Sequence, residues 1–247
     1  IQTEAFKAGV GVETTEMWDA WNLLDGEHAA TFDHPEIYSF VDISQNNHRP
    51  ANSHWGNPQE IRRRIRASGH IRPMNSVKIY GANSGRYGST RDAQERFWRN
   101  ILGGLASSRF HRPPSGLGLN DIAQAHIQSM RMLTDEMDLF TCEPHNDLLE
   151  NRSWNEAYCT ALPGVEYAVF FPDGGNVLLD VTGASNRALT VRWLDIRKSQ
   201  WTSDSPAADT AALIESPHHL RLITPMEEGY WAVLIQAAKA IWGNSGQ

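Results

Sequence analysis

Apolar and polar positions divide the chain into two textures. Up to about residue 139, short apolar runs alternate with stretches of helical period. Four runs read as strands: Val10–Met17 after a glycine, Tyr38–His48 around Phe40, Val41 and Ile43, Asn75–Gly81 around Val77, Ile79 and Tyr80, and the weaker Leu105–Phe110. Near-continuous apolar strands separated by helices indicate parallel strands buried on both faces. The first intervening helix is expected to open with Asn57 as cap and Pro58 at its first position. The second has Ser89 and, three residues on, Asp92, the spacing of a capping box. Ala93, Phe97 and Ile101 follow at intervals of four, Trp98 and Leu102 widen the stripe, and Gly103 and Gly104 end it. A third helix spans Leu119–Met137, with Ile122, Ile127, Met130, Leu133 and Met137 expected on one core-facing side.

After Phe140 the helical period gives way to short strands punctuated by turn residues: "NEAYCTAL", "EYAVFFP", "NVLLDV", "ALTVRWLDI", "LRLITP" and "YWAVLIQA". "PDGG" (Pro172–Gly175) reads as the turn of a hairpin between two of them. Such a series predicts an antiparallel sandwich. The expected division is therefore an α/β domain over 1–139 and an all-β domain over 140–247. Four β/α units are half of a (β/α)8 TIM barrel, which takes about 250 residues by itself. The first domain is then either a small open α/β sheet or the second half of such a barrel.

Composition narrows the function. Of 247 residues, 40% are hydrophobic, enough for a core. The net charge of −7 argues against nucleic acid or an anionic membrane surface as partner, because phosphate recognition needs a basic surface. The one basic cluster, "IRRRIRAS" (Ile61–Ser68), reads as the wet side of a helix whose dry side is Ile61 and Ile65. No apolar stretch approaches the roughly 20 residues of a membrane span. The start, "IQTEAFKAGVG", has no initiator methionine and no signal peptide, so a natural start upstream is expected. Cys142 and Cys159 lack metal-ligand spacing and read as two free thiols, with pairing across two segments the other possibility.

Parallel β/α folds carry their chemistry at the carboxyl ends of the strands. Here those ends deliver Glu16, Trp18 and Asp19, then Gln45, Asn46, Asn47 and His48, then Tyr80 with Lys78 just below it, then Arg109, His111 and Arg112. Aromatic rings, carboxylates and histidines at four successive strand ends suit a polar, hydroxyl-rich ligand and general acid–base work. Each has a plainer reading too: Glu16 as a helix-start carboxylate, Asp19 as a cap, Asn46, Asn47 and His48 as loop residues, Arg109 and His111 as ion-pair partners. Other chemistries fit less well. The glycines of "YGANSGRYGST" do not follow a phosphate-loop order, no GxSxG elbow occurs, and no HExxH or other metal spacing is present. No metal and no cofactor are expected.

The stretches "VETTEMWDAW", "TFDHPEIYSFVDISQNNH", "RPMNSVKIYG" and "ERFWRNILGGLASSRFHRPPSGLGL" resemble the second half of the catalytic barrel in the apiosidase-like group of glycoside hydrolases. "YAVFFPDGG", "VRWLDIRKSQW" and "ITPMEEGYWAVLI" resemble the small β-sandwich that follows such barrels, which that group labels a collagen-binding domain. The resemblance implies a bacterial, extracellular or periplasmic protein, glycosidic-bond hydrolysis by two carboxylates, a carbohydrate substrate, and a chain that begins just before barrel strand five without the barrel's amino-terminal half. The general acid of related barrels ends strand four, outside this chain. Their nucleophile ends strand seven, where this chain reads Lys78-Ile79-Tyr80-Gly81, with Ile79 in the glutamate's place. The catalytic role therefore falls to Glu16 and Asp19, with Trp18, Asn46, Asn47, His48, Lys78, Tyr80, Arg109 and His111 binding substrate. The alternatives are a barrel that binds glycans without cleaving them, and an adhesive module that needs only the sandwich.

Overall fold

The computed structural model describes residues 1–16, 26–44, 51–83, 88–185, 187–202, 212–216 and 218–238. The chain is mixed α/β, with one parallel and two antiparallel sheets. It forms two compact units, Ile1–Ala123 and Gln124–Gln247.

In the first unit, α1 (Gln2–Lys7) and α2 (Ala29–Asp33) precede β1 (Val41–Asp42), α3 (Ala51–Ala67), β2 (Met74–Ile79), α4 (Thr90–Leu102) and β3 (Ser107–Phe110). The three strands form a parallel sheet in the order β1-β2-β3. The expected first strand is absent from its described residues. Val10–Glu16 instead runs beside the approach to β1, with the Thr14 amide donating to Ser39 Oγ at 2.9 Å and Thr15 Oγ1 to the Phe40 carbonyl at 2.8 Å. Val41 and Ile43 pack with Ile61 and Ile65 of α3, Met74 and Leu105. This places the two isoleucines of the basic stretch in the core, as their spacing predicts.

α3 runs through Asn57 and Pro58 rather than starting there. His54 and Trp55, upstream of the proline, are both buried, and that burial outweighs the local start signal of Asn-Pro. α4 forms as expected. Ser89 Oγ accepts from the Asp92 amide, Asp92 accepts from the Ser89 amide, and Gly103 caps the end.

The second unit contains most of α5 (Asp121–Thr134). It continues with β4 (Glu143–Pro144), β5 (Leu149–Glu150), β6 (Tyr158–Leu162), β7 (Glu166–Phe171), β8 (Asn176–Asp180), β9 (Leu189–Asp195), β10 (Gln200–Trp201), β11 (Ala212–Ser216), β12 (His219–Ile223) and β13 (Trp231–Ala237). The division falls inside α5, upstream of the expected 139/140. Ser129 Oγ donates to the Ile196 carbonyl at 3.0 Å and Ser199 Oγ to the Ala125 carbonyl at 2.9 Å, which groups the helix with the strands. Of its expected core side, Met130, Leu133 and Met137 are buried, joined by Ala123 and His126, whereas Ile122 and Ile127, at the two edges of that side, are exposed.

The strands make a six-stranded sheet, β10-β9-β13-β7-β6-β4, and a four-stranded sheet, β11-β12-β8-β5. One apolar cluster draws on both, including Tyr167, Phe171, Trp193 and Val233 from the larger and Leu179 and Leu222 from the smaller. The "PDGG" turn does not close a hairpin. β7 and β8, on either side of it, lie in different sheets. Gly174, at φ +57, brings the chain so close to the Glu227 carbonyl that a Cβ would sit 2.1 Å from that oxygen. Cys142 and Cys159 are free and buried, and burial raises both thiol pKa values.

Candidate functional site at the carboxyl ends of the parallel strands

The register between β2 and β3 explains the lysine inside β2. Ser76 pairs with Ser108 and Ile79 with Phe110, so Val77 and Lys78 stand opposite the single residue Arg109. Lys78 belongs to a β-bulge, where one extra residue re-aims the strand. Beyond the bulge, Ile79 is fully buried and Phe110 stacks on Phe97 of α4 with ring centroids 5.0 Å apart. Gly81 then turns the chain under α4. A Cβ there, at φ +153, would meet the Ala93 Cβ at 2.5 Å, so only glycine fits.

Four of the expected site residues come together here. The Arg109 Nε donates to the Val77 carbonyl at 3.2 Å. The Tyr80 and His111 rings lie 4.9 Å apart at a 57° tilt. His111 Nδ1 is 2.8 Å from Ser115 Oγ, and its amide donates to the Ile79 carbonyl at 2.9 Å. Burial lowers the His111 pKa, and Arg112, Lys78 and Arg109 lower it further, which favours the neutral imidazole.

The structure adds Asp42, the last residue of β1. Val41 and Ile43 face α3, so strand alternation puts Asp42 on the opposite face of the sheet. It is 2% exposed. Its Oδ1 accepts from the Ser44 amide at 2.8 Å, and Ser44 Oγ accepts from the Val77 amide at 2.9 Å, which ties the end of β1 to the bulge. Burial raises the Asp42 pKa. The bonds from Ser44 and the charges of Lys78 and Arg109 oppose this without cancelling it. A buried carboxyl with a raised pKa near cationic side chains is suited to proton transfer. The signal was present as an acid within the apolar run "FVDI".

Glu16 is bound from α2: Thr31 Oγ1 donates to its Oε2 at 3.0 Å. Trp18, Asp19, Asn46, Asn47 and His48 lie outside the described residues. A cavity of about 460 Å³ opens at the other end of the strands, lined by Glu13, Ser39, Asn75 and Ser107. Its location at the amino ends separates it from the Asp42–His111 group. Among the described residues no three His, Cys, Asp or Glu side chains gather as a metal site, and no helix is long and apolar enough to cross a membrane.

No protein-family model matches the chain, and no curated protein matches it. Solved structures do. A glycoside hydrolase aligns with a TM-score of 0.58 at 11% identity, over 85% of this chain and 55% of its own. A family 5 glycoside hydrolase from Bacteroides vulgatus aligns with a TM-score of 0.58 at 13% identity, over 85% of this chain and 53% of its own. The fold is thus glycoside-hydrolase-like, and the chain spans about half the length of the solved enzymes it matches.

Proposed function

We propose that the chain is the carboxyl-terminal part of a carbohydrate-active (β/α)8 enzyme, followed by an antiparallel β-sandwich, that cleaves glycosidic bonds by carboxylate acid–base chemistry. The observation that carries this reading is the convergence of Asp42, Lys78, Tyr80, Arg109 and His111 at the carboxyl ends of parallel strands, with the apolar core of α3 and α4 on the other side. Glu16 and Asp19 are assigned the catalytic pair. Asp42, whose pKa burial raises, is a third carboxyl proposed for proton transfer to the leaving oxygen. Lys78 and Arg109 donate to sugar hydroxyls, and Tyr80 and His111 offer a ring face. Trp18, Asn46, Asn47 and His48 complete the substrate contacts. The upstream half of the barrel supplies the rest of the wall.

The test is the product of the full reading frame on a panel of plant and bacterial polysaccharides. Glu16→Gln, Asp19→Asn and Asp42→Asn are each expected to lower turnover by about 10²–10⁴-fold with binding retained, the range for a lost acid–base group. Unchanged turnover in all three variants removes these carboxyls from the mechanism. A second reading, a barrel that binds glycans without cleaving them, draws on Ile79. It is fully buried at the position where related barrels carry their nucleophile. Binding without turnover by the full product would favour it.

A further inference from the structure

The second unit wholly buries Trp193, yet leaves Trp154 67% exposed. The turn that carries Trp154 is pinned by hydrogen bonds. Asn151 and Asn155 bracket it in left-handed conformations, at φ 56° and 58°. The Glu156 carboxylate accepts from the Ser153 amide at 2.6 Å and from the Asn176 amide at 2.8 Å, tying the turn to the start of β8. Gly175 makes room for this tie, since a Cβ there would lie 2.9 Å from the Glu156 Cγ. Tyr158 donates from its hydroxyl to Asn155 Oδ1 at 2.8 Å, and the Arg152 guanidinium covers the Tyr158 ring at 4.9 Å. At the same end of β8, Asn176 Oδ1 accepts from Arg221 at 3.0 Å.

An indole held in water by a pinned turn has little conformational entropy left to lose when a ligand covers it. Its flat apolar face matches the C–H face of a pyranose ring. The Asn176 amide and the Arg221 guanidinium, at the end of β8 to which the turn is tied, are groups that match the hydroxyls at that ring's rim. We propose that Trp154, with Asn176 and Arg221, forms a saccharide-binding platform on the second unit for a neutral polysaccharide. The platform does not depend on whether the first unit hydrolyses anything.

Native electrophoresis of the 247-residue chain through gels containing hydroxyethylcellulose, xylan or galactomannan tests it. The parent is expected to be retarded in at least one gel. Trp154→Ala should weaken that binding about tenfold or more, as for an exposed aromatic anchor, and Trp154→Phe should keep part of it. The urea midpoint of Trp154→Ala should match the parent, which separates lost binding from lost folding. The proposal is overturned if the parent runs freely in all three gels, or if Trp154→Ala is retarded like the parent. It is also overturned if Trp154-dependent capture occurs on immobilised type I collagen and in none of the gels, since the occupant would then be a protein.

Discussion

The two units bury different things. The second encloses an apolar cluster shared by two sheets, with Tyr167, Phe171, Trp193, Leu179 and Leu222 fully hidden. The first has a smaller described cluster of Val41, Ile43, Ile61, Ile65, Met74 and Leu105. Its helix α4 buries Glu95, Arg96 and Arg99, none more than 8% exposed. Burial lowers the Arg96 pKa to about 10, with the neighbouring Arg99 adding to the shift. Apolar burial stabilises without specifying direction, whereas a buried ion must be matched by a partner in one place. Among the described residues the second unit has the richer apolar core, and it is expected to be the more stable scaffold. The unit that confines charge is where proton-active side chains are held in position.

The largest expected effect tests the scaffold. Trp193→Ala should destabilise the second unit by about 3–5 kcal/mol, read as a lower urea midpoint in far-ultraviolet circular dichroism. A shift within experimental error would break the contrast. Next comes the charge network of the first unit. Glu95 bonds Arg99 at 2.8 Å with both side chains at 6% exposure or less, so Glu95→Ala should cost about 3 kcal/mol. Adding Arg99→Met should restore most of the loss, because it removes the orphaned charge. A double variant as unstable as the single one would mean that the pair acts through packing.

A smaller effect comes with acid. Burial holds the His126 pKa at about 3, with Arg197 adding to the shift, against 6.5 for a free ring. The unfolded ring therefore binds a proton across that window and the folded ring does not. Stability is complete above about 6.5 and falls as pH drops, by up to about 1.4 kcal/mol per pH unit for this one group. Urea midpoints from pH 7 to 5 should show the decline, and His126→Phe should flatten it. His54 in the first unit shifts in the same direction through burial, with Arg99 and Arg96 adding to it.

The smallest effect has the opposite sign. The Asp42 carboxyl keeps its proton to higher pH when folded than when unfolded. Its contribution is present in acid and is lost as pH rises through the folded value. Asp42→Asn cannot ionise and keeps the Oδ1 that accepts from Ser44. It should gain about 1 kcal/mol or less at neutral pH, with the gain vanishing in acid, as pH-dependent unfolding would report. Added stability together with lost turnover would mark Asp42 as a group held in place for function.

What was legible in the sequence was local. The start of α4 is written within four residues, Ser89 to Asp92, and forms as read. The residues of "PDGG" announce a turn but not which sheet the next strand joins, and that choice is made by Gly229 and Thr224, about fifty residues on, which hydrogen-bond across the turn. The α5 stripe holds at Met130, Leu133 and Met137 and departs at its edges: isoleucine outranks alanine and histidine in hydrophobicity, yet the helix exposes Ile122 and Ile127 and buries Ala123 and His126, the latter against the Tyr230 ring at 5.2 Å. At the site, Lys78 stood out as an anomaly. Its cause lies in the register with β3, which no single strand reveals. Asp42 was hidden because the run around it looked wholly apolar.

The bulge in β2 also acts as a change of phase. Met74 and Ser76 are buried before it, Ile79 is buried after it, and the even-to-odd switch happens across Val77 and Lys78. Deleting one of those two residues would restore strict alternation with Ile79 still buried, but would remove one of the two side chains that stand opposite Arg109. A regular strand that kept both would turn Ile79 out of the core and Tyr80 into it. Substitutions at Lys78 can retune the chemistry freely, but the count of residues between Ser76 and Ile79 is a spacing that insertions and deletions cannot touch without rewriting the site.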